Sequence, residues 1–273
     1  MDMAPSLYNG SIAFRFREAA DTYQTLKHGA VHADPTLSQR NQEMLMDLMA
    51  ERLQSINYSD DMQCSIKAAS MDFAEVALKT PYFLKSSREW DEVRNDNGRL
   101  KAFAQTMQRI MTKSLSKHRG WGSVERKTSF DFFSQAPVFS SNGDKRMLKG
   151  EFLLRGVREM NDGEPRHLET IRMNTHRNGI VASPIDWLST QLHENVHAIE
   201  AIERQRRFTM TDEEIASDRD IQILIADESF PDGDDFRDMC YKAYYALPRE
   251  RLARMAQKTF EWRMGAETRL AMV

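Results

Sequence analysis

Apolar side chains recur every three or four residues through much of the first half of the chain. Segments 61–79 and 98–118 show this spacing most clearly. Residues three or four positions apart lie on one face of a helix, so each segment predicts an amphipathic helix with one buried face. Asp34 and Pro35 are the residue types favoured at a helix N-cap and at the first helical position. They predict a further helix that ends near Ile56.

The pattern changes after residue 118. Residues 119–148 are rich in Gly, Ser, Asn and aromatic side chains, and we expect an irregular connection there. Residues 149–158 and 167–177 are typical of two short strands, joined through the turn-forming sequence NDGEP. The small number of predicted strands indicates a small sheet.

A Ser-Pro-Ile-Asp sequence at 183–186 predicts the start of a long helix. Serine is favoured at the N-cap, proline at the first helical position, and an acid in the first turn interacts well with the helix dipole. We expect this helix to end near Arg207. Further helical stretches are predicted near 212–228, 234–246 and 248–266.

Helices outnumber strands in this pattern, so the predicted fold class is α+β and mostly helical. A helical N-terminal region, residues 1–148, precedes a region of residues 149–273. The second region contains the small sheet, the long helix and the C-terminal helices. A chain of 273 residues is long enough to bury a hydrophobic core without disulfide or metal staples.

Composition narrows the class of protein. A hydrophobic content of 41% with 29% charged residues is typical of a globular chain. The net charge is −3, from 38 Lys and Arg against 41 Asp and Glu, so we expect no nucleic-acid partner. No apolar run approaches the roughly 20 residues of a membrane span, and the first residues lack a signal-peptide pattern. We therefore expect no membrane partner, and a protein that is cytoplasmic or exported by a signal-peptide-independent route. Cys64 and Cys240 are far apart in the sequence and are expected to be buried free thiols.

The predicted long helix carries the sequence His193-Glu194-Asn195-Val196-His197, an HExxH motif. Positions i and i+4 lie on one face of a helix, so both imidazoles can reach one metal ion. Glu194 lies about 100° further around the helix axis, next to the ion but not between the two histidines. From there it can deprotonate a zinc-activated water as a general base. The motif therefore predicts a catalytic zinc site.

Catalytic zinc sites usually have three protein ligands, so one ligand is missing from the motif. Glu203 follows on the same helix, ten residues after His193, which is about 15 Å along an unbroken helix. Glu250 falls in the first turn of a separate predicted helix that begins at Pro248. Both carboxylates are candidates, and helix geometry favours Glu250.

The chain resembles zincin-type metallopeptidases of the gluzincin kind, in which HExxH is followed some fifty residues later by a YxxxPxExxA stretch. Tyr244, Pro248, Glu250 and Ala253 match that stretch. The resemblance implies a zincin-like core, with zinc bound by His193, His197 and Glu250 and with Glu194 as the general base. It also implies an edge strand that receives the substrate backbone, which would be residues 167–177.

The competing resemblance, to metzincins, places Glu203 at the third-ligand position of their longer motif. That family has a glycine where this chain has Glu200, so the helix is not expected to break there. Tyr244 and Tyr245 are candidates to donate a hydrogen bond to the oxyanion of the reaction, as phenols do in several zincins.

The sequence thus predicts a zinc-dependent metallopeptidase that hydrolyses a protein or peptide substrate. The alternative is a catalytically inactive zincin-like protein or a helical protein-interaction module. Metal content and peptide hydrolysis distinguish the two classes of protein.

Overall fold

The computed structural model describes residues 57–119, 125–136, 138–139, 145–146, 149–159, 165–176, 180–207 and 244–270, with a few positions between 47 and 54. Six helices have bounds within these residues: α1 Asp60–Lys79, α2 Pro81–Arg88, α3 Trp90–Asn95, α4 Asn97–Arg119, α5 Pro184–Arg207 and α6 Pro248–Leu270. The positions described between 47 and 54, and residues 244–246, are also helical. The strands are β1 Glu125–Phe133, β2 Val138–Phe139, β3 Lys145–Arg146, β4 Gly150–Glu159 and β5 Pro165–Asn174. The described chain is mostly helical with a small sheet, which agrees with the predicted α+β class.

The helices predicted at 61–79, 98–118, 184–207 and 248–266 are confirmed. They are α1, α4, α5 and α6. The helices predicted at 34–56, 212–228 and 234–246 lie wholly or mostly outside the described residues. The sequence pattern missed the short helices α2 and α3. The predicted division of the chain at residue 149 stays a prediction.

Strand β1 corrects the expectation of an irregular connection over 119–148. It pairs in parallel with β5, from Glu125 opposite Arg166 to Phe133 opposite Asn174. The apolar alternation that marks most strands is missing because Arg126 and Thr128 share a face with the buried Phe130, and both make polar contacts with β5.

The main sheet has the strand order β1-β5-β4, with β4 and β5 antiparallel. The two strands predicted around the NDGEP turn are therefore confirmed as a pair. The prediction that residues 167–177 form an edge strand is wrong. β5 lies in the centre, and its backbone groups are hydrogen-bonded to a neighbouring strand on each side. Among the described strands of this sheet, β1 and β4 are the edges. A second sheet contains only β2 and β3.

Helix α5 begins as the sequence predicts. The backbone N–H of Asp186 donates to Oγ of Ser183 at 3.0 Å, and the Ser183 hydroxyl donates to the Asp186 carboxylate at 2.7 Å. This reciprocal cap satisfies an N–H group that has no partner within the helix. It fixes where the helix starts, nine residues before the first histidine of the HExxH motif.

The described chain forms two compact units. One contains the described residues within 63–138, 145–201 and 252–273, and the other contains the described residues within 1–62, 139–144 and 202–251. In the first unit, Phe73 of α1 stacks on Phe260 of α6 at a centroid distance of 5.1 Å. Trp90 contacts Phe103 and Trp187, and its Nε1–H donates to the Val181 carbonyl.

In the second unit, the Arg251 guanidinium donates to the carbonyl oxygens of Ala246, Leu53 and Gln54 and to the side chain of Asn57. These bonds anchor the first turn of α6 within that unit. Burial lowers the pKa of the Arg251 guanidinium from its ordinary value.

Cys64 is a free thiol, as expected, but it is exposed rather than buried. It lies on α1, two residues after the fully buried Met62, so it falls on the outward face of that helix. None of the helices in the described residues is both long and apolar enough to cross a bilayer.

Candidate metal centre

Helix α5 places the two histidines of the HExxH motif one turn apart on the same face. Their Nε2 atoms are 3.1 Å apart, and the rings are nearly perpendicular with centroids 4.8 Å apart. The buried side chains of Leu192, Val196 and Ile199 fix the rotation of the helix, and both histidines are left half-buried. The two imidazoles are therefore directed at one point.

Glu250, in the first turn of α6, completes a group of three possible ligands. One ligand atom from each of His193, His197 and Glu250 lies within 4.8 Å of the other two. Glu250 is only 2% exposed. The structure thus brings together the three residues that the sequence analysis named as ligands, and this group could hold a metal ion.

The geometry of the two imidazoles fits zinc. Zinc–nitrogen bonds are about 2.0–2.1 Å, so two nitrogens 3.1 Å apart subtend an angle of roughly 100° at a shared ion. That angle is close to the tetrahedral value. Two imidazoles and a carboxylate also form one of the common donor sets of catalytic zinc, with a fourth position left for water or substrate.

Glu194, the predicted general base, is buried against the first residue of β4. Glu194 is 5% exposed. A Cβ atom added to Gly150 would lie 2.9 Å from Glu194 Oε1. The carboxylate therefore occupies space that a side chain at residue 150 would need. Its role as a base stays a prediction.

The alternative ligand, Glu203, lies further along α5. Helix α5 continues without interruption from Pro184 to Arg207. Position 203 is therefore about 15 Å along the axis from position 193, as an unbroken helix requires. The Glu203 side chain lies outside the described residues, so the choice between the two carboxylates stays a prediction.

Tyr244 and Tyr245 lie four and three residues before Pro248, where α6 begins. Their ring centroids are 5.8 Å apart, and Tyr245 is 44% exposed while Tyr244 is half-buried. The N–H of Leu247 donates to the Tyr244 carbonyl at 3.1 Å, which closes a turn just before Pro248. Their predicted roles in binding an oxyanion stay predictions.

A buried amide network, which the sequence analysis missed, holds the side of α5 that faces α4. The side-chain amides of Asn195 and Gln108 bond each other reciprocally at 2.6 and 2.9 Å. Gln191 donates to Gln108 Oε1 and to the Ala104 carbonyl, both at 3.0 Å. The available signal was that Gln191 and Asn195 lie four positions apart and so share a face of α5. The network fixes the rotation of the helix that carries the histidines.

A buried ion pair extends this network to the sheet. The Arg126 guanidinium on β1 donates two hydrogen bonds to the Glu169 carboxylate on β5, at 2.6 and 3.1 Å. The same guanidinium donates to Asn195 Oδ1 at 2.9 Å. The Thr128 hydroxyl also donates to Glu169. The middle residue of the HExxH sequence is thereby linked to two strands, and no sequence spacing predicted these contacts.

Helices α5 and α6 are also joined by polar side chains. The Ser189 hydroxyl donates to the Glu261 carboxylate, and Gln257 donates to both of these groups at 2.8 and 3.1 Å. With the stacking of Phe73 on Phe260, these bonds hold α6 against α5 and α1.

Comparisons with protein-family models, with curated proteins and with solved structures gave no significant match to this chain.

Proposed function

We propose that this chain is a zinc-dependent metallopeptidase in which His193, His197 and Glu250 bind the metal. One observation carries the proposal. Two histidines of α5 and a glutamate of α6 that follows them by more than fifty residues offer donor atoms that lie within 4.8 Å of one another. Two of them belong to an HExxH sequence, whose remaining Glu has a specific chemical role in zinc hydrolases.

Bound zinc would act as a Lewis acid that polarises a peptide carbonyl and makes water nucleophilic at neutral pH. Glu194 accepts the proton of the attacking water at its carboxylate and then delivers it to the leaving amine. Its burial supports this role, because a carboxylate held in one place is ready for proton transfer. Tyr244 and Tyr245 are the proposed donors to the developing oxyanion.

The proposed substrate is a peptide or protein segment in extended conformation. β4 is an edge among the described strands of the main sheet, and its first residue packs against Glu194. A substrate strand added to β4 would form main-chain hydrogen bonds and lie close to the proposed base. β4 thus takes the role that the sequence analysis gave to residues 167–177.

Metal analysis and a peptide-library digest test the proposal together. We expect the purified wild-type protein to contain about one zinc per chain and to hydrolyse peptides. His193→Ala and His197→Ala should each lose most of the zinc, because one imidazole fewer leaves an incomplete site.

Glu194→Gln is the matched control, because it keeps the size of the side chain but removes the base. It should retain zinc while hydrolysis falls by at least about 100-fold. Full zinc occupancy in both histidine variants would contradict the proposal. Zinc binding by the wild type without any peptide hydrolysis would favour a catalytically inactive protein instead.

A further inference from the structure

The first residue of β4 leaves no room for a side chain beside Glu194. An ideal Cβ on Gly150 would lie 2.9 Å from Glu194 Oε1 and 3.1 Å from Glu194 Cγ. Real Cβ atoms essentially never approach a heavy atom closer than 3.0 Å, so one of the groups would have to shift. The third close atom is Cγ2 of Thr190, also at 3.1 Å, one turn earlier on α5.

The strand is less free to shift than the glutamate. Gly150 is paired with the fully buried Met173 of β5, and the N–H of Asn174 donates to the carbonyl of Lys149 at 2.9 Å. These contacts hold the start of β4 in place. Glu194 Oε1, in contrast, is the far end of a side chain with three rotatable bonds. A methyl group at residue 150 would therefore displace the carboxylate before it displaced the strand.

We propose that Gly150 is a positioning residue for Glu194. The inference rests on the proposed metallopeptidase function. Without a side chain at residue 150, the Glu194 carboxylate occupies the place from which it transfers the proton. A methyl group there moves the carboxylate aside at little cost to folding, and the base is then misplaced for proton transfer. Misplacement of a reacting group by about 1 Å can reduce turnover by about 100-fold.

The kinetic experiment compares Gly150→Ala in two backgrounds, with zinc loaded and its affinity measured in each protein. In the wild-type background we expect kcat to fall by about 10- to 100-fold, with zinc affinity unchanged within about twofold. In the Glu194→Gln background the same substitution should change the residual kcat by less than about twofold, because the base is already absent. Equal losses in the two backgrounds, or an unchanged kcat in Gly150→Ala, would overturn the inference.

Thr190→Ser provides the matched control, because it removes only the methyl group that also lies near Gly150. The Gly150→Ala/Thr190→Ser protein should remain as slow as Gly150→Ala. Recovery of kcat in this double variant would assign the effect to Thr190 and overturn the inference.

A crystal structure of metal-free Gly150→Ala gives a readout that does not depend on activity. We expect the Glu194 side chain to have rotated away from the new methyl group while β4 keeps its pairing with β5. A displaced β4 with Glu194 unchanged would overturn the inference. If the wild type shows no hydrolysis, both the proposed function and the role of Gly150 fail. If the wild type is active and Glu194→Gln is not, an active Gly150→Ala protein refutes the role of Gly150 alone.

Discussion

The buried pair of Arg126 and Glu169 allows a quantitative test of how the HExxH helix is held. Their side chains are 4% and 1% exposed, and Arg126 also donates to Asn195 within the motif. Arg126→Met removes the guanidinium and leaves the Glu169 carboxylate buried without its cation. Removing one partner of a buried pair typically costs about 3–5 kcal/mol, out of a total stability of about 5–15 kcal/mol for a domain.

The double variant Arg126→Met/Glu169→Met should be much less destabilised than Arg126→Met. Replacing both charges by apolar groups removes the cost of an isolated buried charge and is often nearly neutral. Asn195 and Thr128 each keep a contact with Gln108 after this change, at 2.6 and 3.4 Å respectively. The free energies of unfolding should therefore be strongly non-additive.

Urea unfolding followed by tryptophan fluorescence measures these free energies, because Trp90 and Trp187 are buried in the same unit. The matched control is Arg172→Met, which breaks the pairs of Arg172 with Glu151 on β4 and with Asp131 on β1. All three side chains are at least 35% exposed, so the loss should be below about 2 kcal/mol. The reasoning is refuted if Arg126→Met costs no more than Arg172→Met, or if the double variant is less stable than Arg126→Met.

Substitutions at two further positions test local features of the helices. Burial raises the pKa of the Asp72 carboxyl. Hydrogen bonds from Lys117 and Ser114, together with nearby positive charge, lower it by more than burial raises it, so the pKa lies below the ordinary 3.8. A carboxyl group with a depressed pKa stabilises the fold at pH values above its unfolded pKa, and this stabilisation is lost as the pH falls through its folded pKa. Asp72→Asn should therefore lower the free energy of unfolding at pH 7. The difference between this variant and the wild type should shrink below about pH 4. Ser183→Ala should cost about 1 kcal/mol in urea unfolding through loss of the cap on α5, whereas Ser183→Asp should retain most of the stability. A constant Asp72→Asn difference across pH, or equal losses for both Ser183 variants, would contradict these assignments.

Local patterns in the sequence were sufficient to predict the elements that carry the site. The spacing of apolar residues predicted α1 and α4. The Ser183-Pro184 sequence predicted that α5 begins at Pro184, which is its observed first residue. The HExxH spacing predicted that both imidazoles share a face, because that relation depends only on helix geometry. The proline before Glu250 likewise predicted the start of α6.

Non-local pairing was the part that the sequence could not predict. β1 pairs with β5 about forty residues later, and nothing in either strand alone indicates that β5 is central. Arg126 and Glu169 are buried because they pair with each other and bond to Asn195 and Thr128, whereas a charged residue considered alone predicts an exposed position. The contact of Gly150 with Glu194 depends in the same way on how a strand and a helix pack.

Zinc affinity of Glu250 variants tests the central claim most directly. In a competition titration, Glu250→Ala and the isosteric Glu250→Gln should bind zinc at least about 100-fold more weakly than the wild type. Even changes to groups that only contact a metal ligand lower metal affinity by about 10- to 100-fold. Glu203→Ala should bind zinc within about twofold of wild type, and circular dichroism should confirm that each variant is folded. Unchanged affinity in folded Glu250→Gln and Glu250→Ala, or a severe loss in Glu203→Ala, would contradict the metal centre described above.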